Sequence, residues 1–167
     1  DNGSDFNTLI RAAELAMHRA QAAGPNTFQF YSESIYQNVI AQDQLTKALR
    51  TAIALAQLHV VYQPLADMQT GQISGMEALL RWNHPQLGAV SPAQFIPLAE
   101  ESGLIKEIGE WVLRQVCKDI QIWRDKGILV PPVAVNVSPI QFRESDFAVR
   151  VQKALSDFNV DPSRIYL

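Results

Sequence analysis

The sequence predicts an α/β fold in which an antiparallel strand pair leads into repeating strand and helix, and three observations predict it. First, two β-rich runs, residues 59–64 and 72–82, are separated by turn chemistry over residues 67–71, so they pair antiparallel. Second, residues 104–126 place Leu104, Ile108, Trp111, Val112, Val116, Ile120 and Trp123 at intervals of three and four, the stripe of a long helix with one buried face, ended by Gly127. Third, strand and helix then alternate to the end: strand over 133–137, helix over 147–158, and the start of another strand over 164–167.

The remaining elements come in order along the chain. Residues 7–23 are rich in helix formers, begin after Asp5 as a candidate N-cap, and stop at Gly24-Pro25. Phe28 and Phe30 then alternate with Thr27, Gln29 and Tyr31 as a short strand. One helix and one strand cannot bury a core, so residues 1–31 read as the end of a domain begun upstream. From Ser32 the spacing of Ile35, Val39, Ile40, Leu45, Leu49, Ile53 and Ala56 is helical and free of glycine and proline, giving a helical linker over 32–44 that runs into a second domain, 45–167. A homodimer through this linker is compatible with the stripe, although no clean heptad specifies one. Residues 91–100 form a short helix, with Ser91 as cap and Pro92 at its first position.

Composition excludes several classes. Hydrophobic residues make up 47% and charged residues 19%, which excludes a disordered chain. The net charge is −3 with both signs interspersed, so there is no electrostatic footprint for duplex nucleic acid or an anionic membrane surface. No apolar run approaches the roughly 18 residues of a membrane span, and the N-terminus has no basic-then-apolar signal pattern. Cys117 is the lone cysteine and falls within the long helical stripe, which fits a core role in a reduced, cytoplasmic compartment. Any membrane anchor of a longer parent would lie upstream.

Chemistry concentrates on the strands. Successive strand side chains point to opposite faces, so Glu77, Leu79 and Arg81 share one face while Ala78, Leu80 and Trp82 share the other. Four residues of strand put the Cα atoms of Glu77 and Arg81 roughly 13 Å apart, too far for an ion pair, so each needs its own partner. On a strand built to be buried, a metal or a phosphate is the favoured partner. Asn136 closes the run Val133-Ala134-Val135-Asn136-Val137-Ser138 and reads equally as a turn former or a functional side chain. Gln63, before Pro64, is as open. His18, His59 and His84 have no metal-ligand spacing, and no Gly-rich phosphate loop or Ser/His/Asp order appears.

Taken together, Tyr62-Gln63-Pro64, Glu77-Ala78-Leu79-Leu80-Arg81-Trp82, Ser91-Pro92 with Phe95-Ile96-Pro97-Leu98-Ala99-Glu100-Glu101-Ser102-Gly103, and Asn136-Val137-Ser138 closely resemble the EAL family in order and spacing. The resemblance runs from about Leu45 to Leu167. It implies a (β/α)8-like barrel whose first strand runs antiparallel to the rest, in agreement with the hairpin. It also implies hydrolysis of cyclic di-GMP, a bacterial second messenger, to linear pGpG with two Mg2+ or Mn2+ ions. Glu77 and Asn136 match the family's metal ligands, and Gln63, Leu79 and Arg81 match positions that hold the ligand, with Arg81 on a phosphate. In the family, the strand starting at Arg164 continues into a further metal-binding glutamate, and later strands bring paired aspartates and a lysine. Residues 45–167 are about half of the roughly 250 of a full barrel, so the chain alone is expected to lack half the site and to be inactive. The alternative function is a non-catalytic EAL-like receptor or scaffold. The first 31 residues are similar to the end of GGDEF domains, through Leu9-Ile10-Arg11-Ala12-Ala13-Glu14-Leu15-Ala16-Met17, Ala20-Gln21 and Gly24-Pro25-Asn26. Where cyclases of that family present a lysine and an arginine to the GTP phosphates, this chain has Gln21 and Pro25, so the resemblance does not extend to GTP cyclisation.

Overall fold

β1 (Leu58–Ala66) and β2 (Ile73–His84) are the two long strands, and the turn between them is built by one carboxylate. Asp67 Oδ1 accepts the backbone N–H of Gln69 at 2.9 Å and of Thr70 at 2.8 Å, and Gly71 takes the φ of +68° that only glycine adopts without strain. The N–H of Thr70, then that of Gln69, holds the Asp67 carboxyl below the usual carboxylate range. The strands pair antiparallel with Val61 opposite Leu79 and Gln63 opposite Glu77, and the register shifts between Leu65 and Ala66. A third strand, β3 (Gly88–Val90), folds back onto the end of β2. Its turn uses Gly88 at φ +70° and His84 Nδ1, which accepts from the N–H groups of Gln86 and Leu87.

β4 (Val133–Val135) lies parallel to β2 on the side away from β1, and β5 (Ile165–Tyr166) lies parallel to β4. The sheet order is β1-β2-β4-β5, with β3 on the end of β2. Because β1 alone is antiparallel on this path, the sheet is mixed, as the hairpin spacing required.

The computed structural model describes residues 33–167 and, before them, Ile10, Ala13, Glu14, Ala16, Met17, Ala20, Gln21, Gly24 and Phe28. Two units divide the chain, Asp1–Lys47 and Ala48–Leu167. In the first, the described residues from Ile10 to Gln21 are helical, Gln21 is exposed, and Phe28 is in neither helix nor strand. Pro25 and the rest of the expected first strand lie outside the described residues. Helix α1 (Glu33–Ala52) begins in the first unit and ends in the second, where Leu49 and Ala52 are buried.

The second unit carries the other helices: α2 (Pro92–Glu101), α3 (Ile105–Asp125), α4 (Pro139–Phe142) and α5 (Phe147–Asp157). Ser91 and Pro92 start α2 as expected, but the Ser91 hydroxyl makes no capping bond. Gly103 at φ +77° breaks α2 from α3, which packs on β1 and on α2, α4 and α5. The buried stripe of α3 is Ile105, Ile108, Val112, Leu113, Val116, Cys117 and Ile120. Trp111 and Trp123, expected in that stripe, are only half-buried. Trp123 stands edge-on to Tyr62 at 4.8 Å. Cys117 is fully buried, and that burial pushes its thiol up to about 11, against a smaller opposing effect of Arg114, as suits an inert core cysteine.

The sheet face toward the helices holds Ala78 and Trp82 of β2 and Val133 and Val135 of β4, all buried, against Phe95, Leu98 and Ala99 of α2. One polar network joins β1 to α3. The Tyr62 hydroxyl donates to Asp119 Oδ2 at 2.6 Å, and Gln115 Nε2 donates to Asp119 Oδ1 at 2.9 Å. Burial, followed by the bond to Asp119, raises the Tyr62 phenol well above its ordinary range, so it stays a donor at every pH the fold survives. Tyr62→Phe is expected to cost about 1 to 3 kcal/mol, because it leaves a half-buried carboxylate oxygen unpaired. A denaturant midpoint that moves while the slope stays constant would show it, and an unchanged midpoint would remove Asp119 from the fold's support.

Candidate functional site

The face of the sheet opposite the buried core presents the polar residues in rows. Gln63 sits directly across from Glu77, and Glu77 across from Ala134, so the residue two beyond Ala134, Asn136, arrives on the same face. The arrival is a contact: Asn136 Nδ2 donates to Glu77 Oε1 at 2.7 Å. Glu77 is half-buried, whereas Gln63 and Asn136 are exposed. Along β2, Leu79 and Arg81 continue the face and are half-buried.

Arg81 does not reach Glu77, as the strand spacing required. Its Nη1 donates to the carbonyl of Leu80 at 2.9 Å, and among the described residues it meets no carboxylate. The guanidinium thus keeps most of its five donors for something else. A cavity of about 320 Å³ opens beside these residues, with Leu79, Arg81, Ile96, Glu100, Asn136 and Ser138 in its wall.

Asn136 lies between β4 and α4, a link of three residues, and the next element is fixed by a capping box. Ser138 accepts the N–H of Ile140 at 3.2 Å, while its own N–H donates to Gln141 Oε1 at 3.3 Å. Its hydroxyl proton goes to Glu100 Oε1 at 2.6 Å. Sequence reasoning gave no role to Glu100, Ser138 or Gln141. The signal was present, since Ser138-Pro139-Ile140-Gln141 has the S-x-x-Q spacing of a capping box with proline at the first helical position.

The donor set suits a hard divalent cation. With Oε1 of Glu77 and Nδ2 of Asn136 bonded to each other, Glu77 Oε2 and Asn136 Oδ1 are the oxygens left over, and carboxylate and amide oxygens are what Mg2+ and Mn2+ prefer. Among the described residues no group of three or more His, Cys, Asp or Glu side chains is placed to hold a metal. Two oxygens fill only part of an octahedral shell, so waters, a substrate oxygen or further side chains would complete it.

The family profile described as the EAL domain matches residues 46–167. The chain belongs to the EAL domain family. The EAL fold is a TIM-barrel-like α/β fold, and the mixed sheet with its packed helices fits part of one. An uncharacterised protein of Sinorhizobium fredii is 44% identical over 165 residues, 97% of this chain and 19% of the relative. The Pseudomonas aeruginosa protein named bifunctional diguanylate cyclase/cyclic di-GMP phosphodiesterase MucR is 40% identical over 166 residues, 99% of this chain and 24% of the relative. The solved structure of a MucR phosphodiesterase in complex with c-di-GMP is 43% identical, with a TM-score of 0.70, over 73% of this chain and 49% of that one. The EAL chain therefore spans about a fifth to a quarter of the length of these two curated relatives.

Proposed function

We propose that this EAL chain contributes to a cyclic di-GMP phosphodiesterase that hydrolyses the cyclic dinucleotide to linear pGpG and depends on Mg2+ or Mn2+. The observation that carries the reading is the meeting of Glu77 and Asn136 on one sheet face that also bears Arg81, a guanidinium without a carboxylate partner among the described residues. Glu77 and Asn136 would hold the metal, whose chemistry is to stabilise charge on the attacking and leaving oxygens of a phosphodiester. Arg81 binds a phosphate oxygen pair with its planar fork. Leu79 offers apolar contact between these two charged positions, and the exposed Gln63 amide supplies a donor and an acceptor opposite Glu77. Relatives named as phosphodiesterases and a neighbour solved with the nucleotide support the choice of substrate.

The same reading assigns residues 1–31 to the end of a GGDEF-like domain, 32–44 to a linker and 45–167 to the EAL domain. It is supported by the alignment of MucR, whose name carries both activities, over 99% of this chain. With Gln21 and Pro25 at the two cation positions, that domain is not assigned GTP cyclisation. Incubation of the whole protein with cyclic di-GMP and Mg2+ or Mn2+ is expected to yield the linear dinucleotide. Chelation is expected to stop the reaction and restored metal to restart it. Nucleotide binding without any linear product under these conditions would replace the enzyme with a receptor.

A further inference from the structure

We infer that Glu100 is a positioning residue for Asn136, acting through the hydroxyl of Ser138 across the gap between α2 and the link that leaves β4. Asn136 lies beyond the last ladder pair of β4, so the sheet alone does not fix its backbone. Ser138, two residues on, is held from two sides. On one side its hydroxyl gives its single proton to Glu100 Oε1 at 2.6 Å, and this fixes a lone pair toward the Ile140 N–H at 3.2 Å. On the other side the buried Gln141 receives the Ser138 N–H. The Gln141 amide lies against Gly109 of α3, where a Cβ would come within 1.9 Å of Nε2.

Glu100 has no local reason for its place. It is the penultimate residue of α2, where a carboxylate faces the negative end of the helix and is unfavourable to it. Among the described residues it pairs with no lysine or arginine. Among the described residues the Ser138 hydroxyl is the side-chain hydrogen-bond partner of its carboxylate, and two residues upstream of Ser138 the Asn136 amide reaches Glu77 at 2.7 Å. Neighbours of a ligand that set its orientation typically change metal affinity ten- to a hundredfold when lost.

The effect on ion binding rests on Asn136 being a metal ligand, but the placement of its side chain does not. Two measurements on the whole protein therefore separate the claims. In the metal-free protein, the side-chain amide signals of Asn136 in a nitrogen–proton NMR spectrum report its bond to Glu77. Glu100→Ala is expected to move them to the positions of a free asparagine amide, whereas Glu100→Gln keeps them, because an amide oxygen accepts the same hydroxyl. Mn2+ affinity by calorimetry is expected to fall about tenfold or more in Glu100→Ala and to hold in Glu100→Gln. Should Glu100→Ala not fold, Ser138→Ala breaks the same bond from its other end and is expected to move the same signals. Unchanged Asn136 signals in the folded variant, or equal loss in Glu100→Gln and Glu100→Ala, would overturn the inference. If Asn136→Ala itself left Mn2+ affinity intact, the metal assignment would fall and the NMR result alone would decide the positioning.

Discussion

Replacing Glu77 with alanine in the whole protein is expected to abolish turnover of cyclic di-GMP, while Arg81→Ala chiefly raises KM. The two residues share a strand face, but in the proposed function they would meet charge at different stages of the reaction. A metal ligand matters most where charge builds on the attacking and leaving oxygens, and losing several kcal/mol of that stabilisation slows turnover by a factor on the order of 10³. Glu77→Gln separates charge from structure, since it keeps an acceptor for Asn136 Nδ2 at the 2.7 Å contact, and it too should fail to turn over. In the proposed reading Arg81 would face a phosphate that carries its charge before reaction begins. Losing its charge-assisted bond costs about 1.5 to 3 kcal/mol, which is about ten- to a hundredfold in KM with a smaller fall in kcat. Calorimetry with the nucleotide in Ca2+ measures binding apart from turnover. Intact turnover in Glu77→Ala together with intact affinity in Arg81→Ala would return both residues to a structural role.

Trp82→Ala is expected to remove about 3 to 5 kcal/mol of stability, the largest single loss in the core. Trp82 is 1% exposed, stands edge-on to Phe95 at 5.5 Å, and donates its indole N–H to Gln57 Oε1 at 3.1 Å. No neighbour can follow a side chain of that size inward, so a cavity remains. Trp82→Phe keeps a ring against Phe95 and gives up the indole bond, so its cost should be clearly smaller. A loss below 1 kcal/mol for the alanine variant, read from denaturant midpoints at constant slope, would show that β2 is not anchored from its helix side. Trp82 comes directly after Arg81, so the same packing that stabilises the domain also fixes the strand backbone from which Arg81 projects on the opposite face.

The elements that repeat a period over many residues were legible in the sequence. The alternation of Glu77, Leu79 and Arg81 with Ala78, Leu80 and Trp82 put the polar set on one face of β2, and the three-and-four spacing of Leu104 to Ile120 drew α3 almost to its ends. Two of the short elements were not legible, although the short strands β4 and β5 were. β3 has three residues and α4 has four, too few for a period to show. The same limit applies to contacts that depend on the register between distant strands. Asn136 and Glu77 are 59 residues apart, and only the parallel register of β2 with β4 brings them together. Glu100 and Ser138 are 38 apart and meet through the packing of α2 against that register. Trp111 and Trp123 fit the apolar spacing of α3, but the spacing cannot say where the covering strand ends.

The register shift between Leu65 and Ala66 divides the hairpin into two stretches under different constraints as the gene accumulates insertions and deletions. On the sheet side of the shift, one residue gained or lost turns β1 over. Tyr62 would then face the site, Gln63 the helices, and Asp119 would lose its hydroxyl partner. Beyond the shift, the strand already departs from regular pairing, and Met68 at the tip is 98% exposed. Length can change there without reaching either face. Hairpin length is therefore expected to vary among relatives at its outer end, while the stretch from Leu58 to Leu65 is expected to keep a constant count, because its alternate residues face the packed helices on one side and the polar row on the other.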